Sequence, residues 1–91
     1  MPILSVSEFE AVMTQVVNRI EKEFVARGRI QPLETARDDL ARILSSARDG
    51  RKLKASRAKL DSVSDAMTGE IKDEQVMNQL GDLLDYIDYR A

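Results

Sequence analysis

Residues 9–24 read FEAVMTQVVNRIEKEF, and apolar side chains recur in this stretch at steps of three and four. The recurring residues are Phe9, Val12, Met13, Val16, Val17, Ile20 and Phe24. On an α-helix this spacing places all of them on one stripe, roughly 140° wide. A seam between two helices needs a narrower stripe, so this helix is expected to contact at least two neighbours. We therefore predict a central helix around which the rest of the chain packs.

The flanking sequence indicates where this helix begins and ends, and predicts three more helices. Ser5 with Glu8, or Ser7 with Glu10, matches the capping box that begins a helix, and Gly28 is the residue type that commonly ends one. The three–four spacing recurs downstream, and no stretch alternates as a strand would. The predicted helices cover about residues 7–27, 32–48, 53–68 and 73–90, and the start of the third could lie anywhere from Arg51 to Arg57. The predicted fold is all-α, a compact antiparallel four-helix bundle or an irregular four-helix domain, forming a single domain over residues 1–91.

Acidic side chains give further local signals. Asp49-Gly50 is typical of a turn, so the second and third helices are expected to form a hairpin around it. Asp73 is the candidate N-cap of the last helix. Asp38 and Asp39 are expected to form solvated pairs with Arg42 on the surface of the second helix.

The composition excludes several chemistries. The 91 residues include no histidine and no cysteine, which removes the commonest metal ligands, the commonest general base and the thiol nucleophile. The four glycines stand apart, so the chain has no glycine-rich phosphate loop. We expect no enzyme activity, no catalytic residues, no metal, no cofactor and no small-molecule substrate. We also expect no membrane association and, because disulfides are absent, a cytoplasmic location.

The densest charge lies where the second predicted helix meets the third. Six cations against the single carboxylate of Asp49 leave a charge of +5 over residues 48–59. These cations are Arg48, Arg51, Lys52, Lys54, Arg57 and Lys59. They could bind phosphates of a nucleic acid. Their scatter around the helix, and the absence of an aromatic residue among them to stack on bases, favour a face that is solvated or pairs with protein carboxylates.

The C-terminal part has the opposite charge and carries both tyrosines. Eight carboxylates against two cations leave −6 over residues 60–91, so the two charged segments could meet within a subunit or across a dimer. A helical projection of the last predicted helix places Tyr86 and Tyr89 away from its apolar stripe. Because tyrosine is enriched in protein interfaces, we predict that both contact a partner.

Residues 69–74, which read GEIKDE, and 80–87, which read LGDLLDYI, resemble the end of acyl carrier proteins, a family of four-helix chains of similar size. That family attaches its prosthetic group to a serine in an Asp-Ser-Leu motif opening its second long helix. Counting back from Ile71, Leu53 stands at that position, and the serine of Asp61-Ser62-Val63 lies closer to Ile71 than the family's motif would. The resemblance covers under a quarter of the chain and implies an acyl-carrier-like bundle lacking the prosthetic-group serine.

The function that these patterns favour is a small helical protein–protein interaction module. It would act as a regulator, an adaptor or a chaperone-like protein, and would self-associate as a homodimer or bind another protein. Helix faces would recognise the partner, and the complementary charges would set orientation and association rate. A nucleic-acid-binding protein that uses residues 48–59 and an acyl-carrier-like bundle are the alternatives.

Overall fold

A computed structural model describes residues 2–90 of the chain. This part of the chain forms five helices and contains no strand. The helices are α1 (Val6–Arg27), α2 (Gln31–Ser45), α3 (Gly50–Ala55), α4 (Arg57–Glu70) and α5 (Glu74–Tyr89). The predicted all-α helical bundle is confirmed.

The signals at both ends of α1 act as predicted. Ser5 is the N-cap, and its hydroxyl oxygen accepts a hydrogen bond of 3.2 Å from the amide of Glu8. At the other end Gly28 has a φ of 83°, and its amide donates to the carbonyl of Phe24 at 2.8 Å. That φ lies in the left-handed region, which glycine adopts without the steric penalty of a Cβ atom.

The apolar stripe of α1 forms the middle of the core. Phe9, Met13, Val16 and Ile20 are 0% exposed. The other three residues of the stripe flank them and are partly buried: Val12, Val17 and Phe24. The helix packs against α2 and against α5, so the prediction of at least two neighbours is confirmed.

The four long helices form a closed ring in which each packs against two others. The sequence of contacts around the ring is α1, α2, α4, α5 and back to α1. Two contacts along α1 fix its direction relative to α5, because Phe9 lies beside Tyr86 and Arg19 beside Asp73. The other neighbours are also antiparallel, as the following pairs indicate: Glu10–Arg48, Glu21–Arg37, Asp39–Lys59 and Arg57–Asp88. The fold is therefore an antiparallel four-helix bundle, with the short α3 between α2 and α4.

The structure differs from the predicted second and third helices between residues 46 and 56, although α4 begins at Arg57, within the range expected for the start of the third helix. The second helix ends at Ser45, and the expected turn residue Asp49 is instead the N-cap of α3. Its carboxylate accepts hydrogen bonds from the amides of Arg51 and Lys52, at 3.1 and 3.2 Å. The predicted third helix is divided at Ser56, whose hydroxyl donates to the carbonyl of Lys52 at 3.0 Å. The ψ of Ser56 is −3°, whereas a residue inside an α-helix has a ψ of about −42°, and this change in the backbone separates α3 from α4.

The last helix follows its prediction closely. Asp73 is its N-cap, and its carboxylate accepts a hydrogen bond of 2.9 Å from the amide of Gln75. The apolar residues of α5 that face α1 and α4 are buried: Val76, Leu80, Leu83 and Ile87. Gly81 faces open space rather than a neighbouring helix, so it does not mark a close helix contact.

Charge placed on the α1 stripe should unfold the chain. Val16→Asp and Ile20→Asp each bury an unpaired carboxylate, at a cost of roughly 3–5 kcal/mol. That is a large part of the stability of a small domain, about 5–15 kcal/mol. Val25→Asp is the matched control, because Val25 lies on the same helix and is 90% exposed.

Thermal unfolding followed by circular dichroism measures this effect. We expect the control to melt within a few degrees of the unmodified protein, and the two core variants to be unfolded or to melt at least about 10 °C lower. A core variant with the same melting temperature as the Val25 variant would show that the α1 stripe is not the centre of the core.

Candidate interaction surface at the α3 end

The antiparallel order brings α3 and the termini of four helices to one end of the bundle. We call this the α3 end and define it as residues 2–6, 46–59 and 86–90. Two apolar side chains are exposed there, Leu4 at 56% and Tyr89 at 80%. The six cations that the sequence singled out all fall within this end, but the structure divides them into two sets.

Three of these cations pair with carboxylates of the same chain. Arg48 donates to Glu10 at 2.8 Å, and Arg57 donates to both carboxylate oxygens of Asp88 at 3.1 and 3.3 Å. The hydrogen bond to Asp88 is the main reason that the pKa of Arg57 is raised. The Nζ atom of Lys59 lies 3.7 Å from a carboxylate oxygen of Asp39.

The Arg57–Asp88 pair shows that the basic and acidic segments meet within one subunit. Arg57 also lies 3.7 Å from Asp61, one helical turn further along α4. The pairs to Asp88 and Asp61 hold the start of α4 against the end of α5. Arg57 therefore has a structural role, and it is less available to a partner than the sequence suggested.

The other three cations have no such role. Arg51, Lys52 and Lys54 are exposed, and none makes an ion pair or a side-chain hydrogen bond with any residue between 2 and 90. All three lie on α3, whose one buried residue in the described chain is Leu53, 1% exposed. Within the described part of the chain, the short helix is thus anchored by a single apolar side chain and presents three unpaired positive charges to solvent.

The two tyrosines differ in exposure, although the sequence predicts that both contact a partner. Tyr86 is only 7% exposed, and its ring centroid lies 5.0 Å from that of Phe9. The prediction that Tyr86 faces away from the core is therefore wrong. Tyr86 lies roughly 100° from the centre of the α5 stripe. The start of α1 and the buried Ile3 extend the core that far round the helix. Tyr89 remains exposed, as predicted.

Asp39 does not form the predicted solvated pair with Arg42 among the residues that the structure describes. It is 8% exposed and faces Lys59 of α4, whereas Arg42 makes no ion pair within the described residues. A signal was present in the spacing, because Asp39 follows Ala36 by three residues and precedes Ile43 by four, and both are buried. Asp39 therefore lies on the apolar face of α2 and not on its solvated face.

The comparisons with known proteins add no relative. No protein family, no curated protein and no solved structure matches this chain. The position that the acyl-carrier resemblance assigns to a prosthetic group holds Leu53, which is buried. Ser62, the nearby serine, lies in the interior of α4 and not at the start of a helix.

In residues 2–90, no three acidic side chains come together in a group that could hold a metal ion. Among the helices described above, none is long and apolar enough to cross a membrane.

A second set of ion pairs lies at the opposite end of the bundle and involves α1, α4 and α5. Arg19 donates to Glu23 at 2.7 Å and to Asp73 at 3.3 Å, and the bond to Glu23 is the main reason that its pKa is raised. Desolvation alone would raise the pKa of Asp73. Hydrogen bonds from the amide of Gln75 and from Arg19 outweigh it, so the pKa of Asp73 is lowered.

The lowered pKa of Asp73 predicts how stability responds to acid. The folded chain keeps this carboxylate ionised at a pH where the unfolded chain, with an ordinary pKa of 3.8, protonates it. Its contribution to stability is therefore present above pH 3.8 and lost as the pH falls through the lowered value. Asp73→Asn keeps a capping side chain but removes the charge.

We expect Asp73→Asn to lower the melting temperature at pH 6, and the difference from the unmodified protein to shrink as the pH falls below 3.8. Asp65→Asn is the control, because Asp65 is exposed and has no ion pair with a residue that the structure describes. A melting-temperature difference for Asp73→Asn that stays constant from pH 6 to pH 2 would contradict the role of the charge.

Proposed function

We propose that this chain is a small helical protein–protein interaction module and that its α3 end binds an acidic surface of a protein partner. The observation that supports this proposal is the state of Arg51, Lys52 and Lys54. These three side chains are exposed and unpaired within the described chain, whereas Arg48, Arg57 and Lys59 beside them are paired.

Unpaired cations are suited to recognition because binding does not first require an internal ion pair to break. Each positive side chain attracts an acidic partner at long range and raises the association rate. Arg51 can also bind a carboxylate with two parallel hydrogen bonds, which fixes orientation. Exposed Leu4 and Tyr89 add apolar area at the same end, and aromatic side chains often contribute most of the affinity in such interfaces.

A second copy of the chain is one partner with suitable chemistry. Residues 60–91 carry a net charge of −6. Several carboxylates in that segment are exposed, among them Asp65, Glu74 and Asp85. The α3 end of one subunit would contact this acidic segment of another. The pairing of opposite charges would set the orientation of the two subunits, and a regulator, an adaptor or a chaperone-like protein could use the same surface to bind a different acidic protein.

Nucleic-acid binding is less favoured by the charges that the structure leaves free. Three phosphate contacts give a salt dependence with a logarithmic slope of only about −2 to −3, whereas specific binding proteins commonly make about 6–10 such contacts. The three exposed cations of α3 also have no aromatic side chain among them on which a base could stack.

Reversing the charge of α3 tests the proposal. The variant Arg51→Glu, Lys52→Glu and Lys54→Glu should leave the helical content and melting temperature nearly unchanged, because these side chains make no contact that stabilises the described fold. The matched control reverses Lys22, Arg42 and Lys72, which are also exposed and without an ion pair among residues 2–90. Both variants change the net charge by −6.

Sedimentation over a concentration series, at low and at physiological salt, measures self-association, and a pull-down with each variant as bait detects another protein. We expect the α3 variant to weaken association at least tenfold and the control to weaken it less than threefold. Equal effects of the two variants would mean that net charge, and not the α3 end, governs association. Binding of a DNA or RNA oligonucleotide more tightly than about micromolar, lost only in the α3 variant, would replace the proposed protein partner with a nucleic acid.

A further inference from the structure

A groove runs along the contact between α2 and α4, and it meets the α3 end only at Lys59. Its volume is about 380 Å³, within the range of small-molecule sites. Short side chains on both helices leave this space, namely Thr35, Ala36, Ser62 and Ala66. Ala36 and Val63 are 3% and 4% exposed, so the floor of the groove belongs to the core.

The two ends of the groove differ in chemistry. Because α2 and α4 are antiparallel, Pro32 and Ala66 lie at one end, and Asp39 and Lys59 at the other. Asp39 and Pro32 are seven residues apart, which is about 10 Å along the helix axis. The groove therefore has a carboxylate at one end and an apolar channel about two helical turns long leading away from it.

The carboxylate of Asp39 accepts no hydrogen bond from residues 2–90, although the residue is only 8% exposed. Its nearest cation within residues 2–90 is Lys59 at 3.7 Å, which is longer than an N–H···O hydrogen bond. The side chain of Lys59 is 59% exposed and has a flexible four-carbon stem. No side-chain oxygen in residues 2–90 is both enclosed and without a hydrogen-bond partner, so the Asp39 oxygens keep contact with solvent. A cationic donor can therefore reach this carboxylate and make the short, charge-assisted hydrogen bond that Lys59 does not make.

We propose that this groove binds a small amphipathic amine, with its ammonium group on Asp39 and its hydrocarbon body along Ala36, Val63 and Ala66. The ammonium would take the place of Lys59, whose side chain can turn outward into solvent. The charge of Asp39 selects a cation, and the apolar floor selects a hydrocarbon body about 10 Å long. The lysine side chain of a partner protein has a stem too short to reach Pro32, so a small molecule fits the groove better.

A pair of probes with the same body and opposite charges separates this site from general apolar binding. The probes are 4-phenylbutylamine and 4-phenylbutanoate, titrated into the full-length chain while amide chemical shifts are recorded by NMR. We expect the amine to give saturable shifts at Ala36, Asp39, Ser62, Val63 and Ala66, with a dissociation constant on the order of a millimolar. We expect 4-phenylbutanoate to bind at least tenfold more weakly.

Three variants test which side chains of the groove bind the amine. Asp39→Asn should weaken binding of the amine at least tenfold, whereas Lys59→Ala should leave it unchanged or strengthen it because a competing cation is lost. Ala66→Leu fills the groove without changing a charge and should also weaken binding at least tenfold. That variant tests the site independently should the Asp39 variant not fold, since Ala66 is exposed.

Several results would overturn the proposal. One is the absence of saturable shifts from the amine up to about ten times the expected dissociation constant. Another is equal binding of the two charged probes, or binding that survives both Asp39→Asn and Ala66→Leu. Binding of Nα-acetyl-lysine methylamide as tight as that of 4-phenylbutylamine would show instead that the groove accepts the lysine side chain of a protein.

Discussion

Complete burial of one stripe on α1 is the constraint on which the rest of the structure depends. Phe9, Met13, Val16 and Ile20 are 0% exposed, and they span three turns of a 22-residue helix. Only neighbours on both sides can cover such a stripe, so α2 and α5 must lie against α1 at the same time. The fourth long helix, α4, then closes the ring by packing against the sides of α2 and α5 that α1 leaves uncovered. Burial of apolar side chains on this scale is the main source of stability in a domain of this size.

The same arrangement determines which charges are used inside the chain. Carboxylates and cations that fall at the edges between helices pair with each other, as Arg48 with Glu10 and Arg57 with Asp88 do. Such exposed pairs contribute little to stability individually, but they orient helices that the core already holds together. The cations of α3 fall at no edge, because α3 touches the bundle through Leu53 and points its other side chains into solvent.

The short α3 thus separates stability from recognition. Its charged side chains can change without disturbing the core, because the stripe of α1 lies elsewhere in the bundle. By contrast, the groove between α2 and α4 uses residues of the core itself, since Ala36 and Val63 form both its floor and part of the buried cluster. A ligand there would contact the packed bundle, whereas a protein at the α3 end would contact an appendage to it.

Much of the fold could be predicted from local spacing, and the error at Tyr86 arose because a tertiary contact decides its position. The α1 stripe, the caps Ser5 and Asp73 and the end at Gly28 follow from rules that involve only a few neighbouring residues. Tyr86 was misplaced because its burial depends on Phe9, a residue far away in the sequence.

The candidate site was less predictable than the fold for the same reason. The six cations could be recognised from the sequence, but not the division between paired and unpaired ones, since each pair joins residues on different helices. The spacing of Asp39 from Arg42 predicts a solvated pair, although its spacing from the buried Ala36 and Ile43 places it on the apolar face of α2. The residue type of Asp49 does not distinguish a turn from a helix N-cap, because aspartate favours both.

Native-state hydrogen exchange tests most directly whether α1 is the centre of the fold and α3 an appendage to it. The amides of Met13, Val16 and Ile20 should exchange only through global unfolding, with the free energy obtained from denaturant titration. The amides of Leu53, Lys54 and Ala55 in α3 should exchange at least tenfold faster, through a local opening that leaves the bundle intact. Exchange from α1 that is as fast as from α3, or α3 amides protected to the global limit, would contradict this division of the structure.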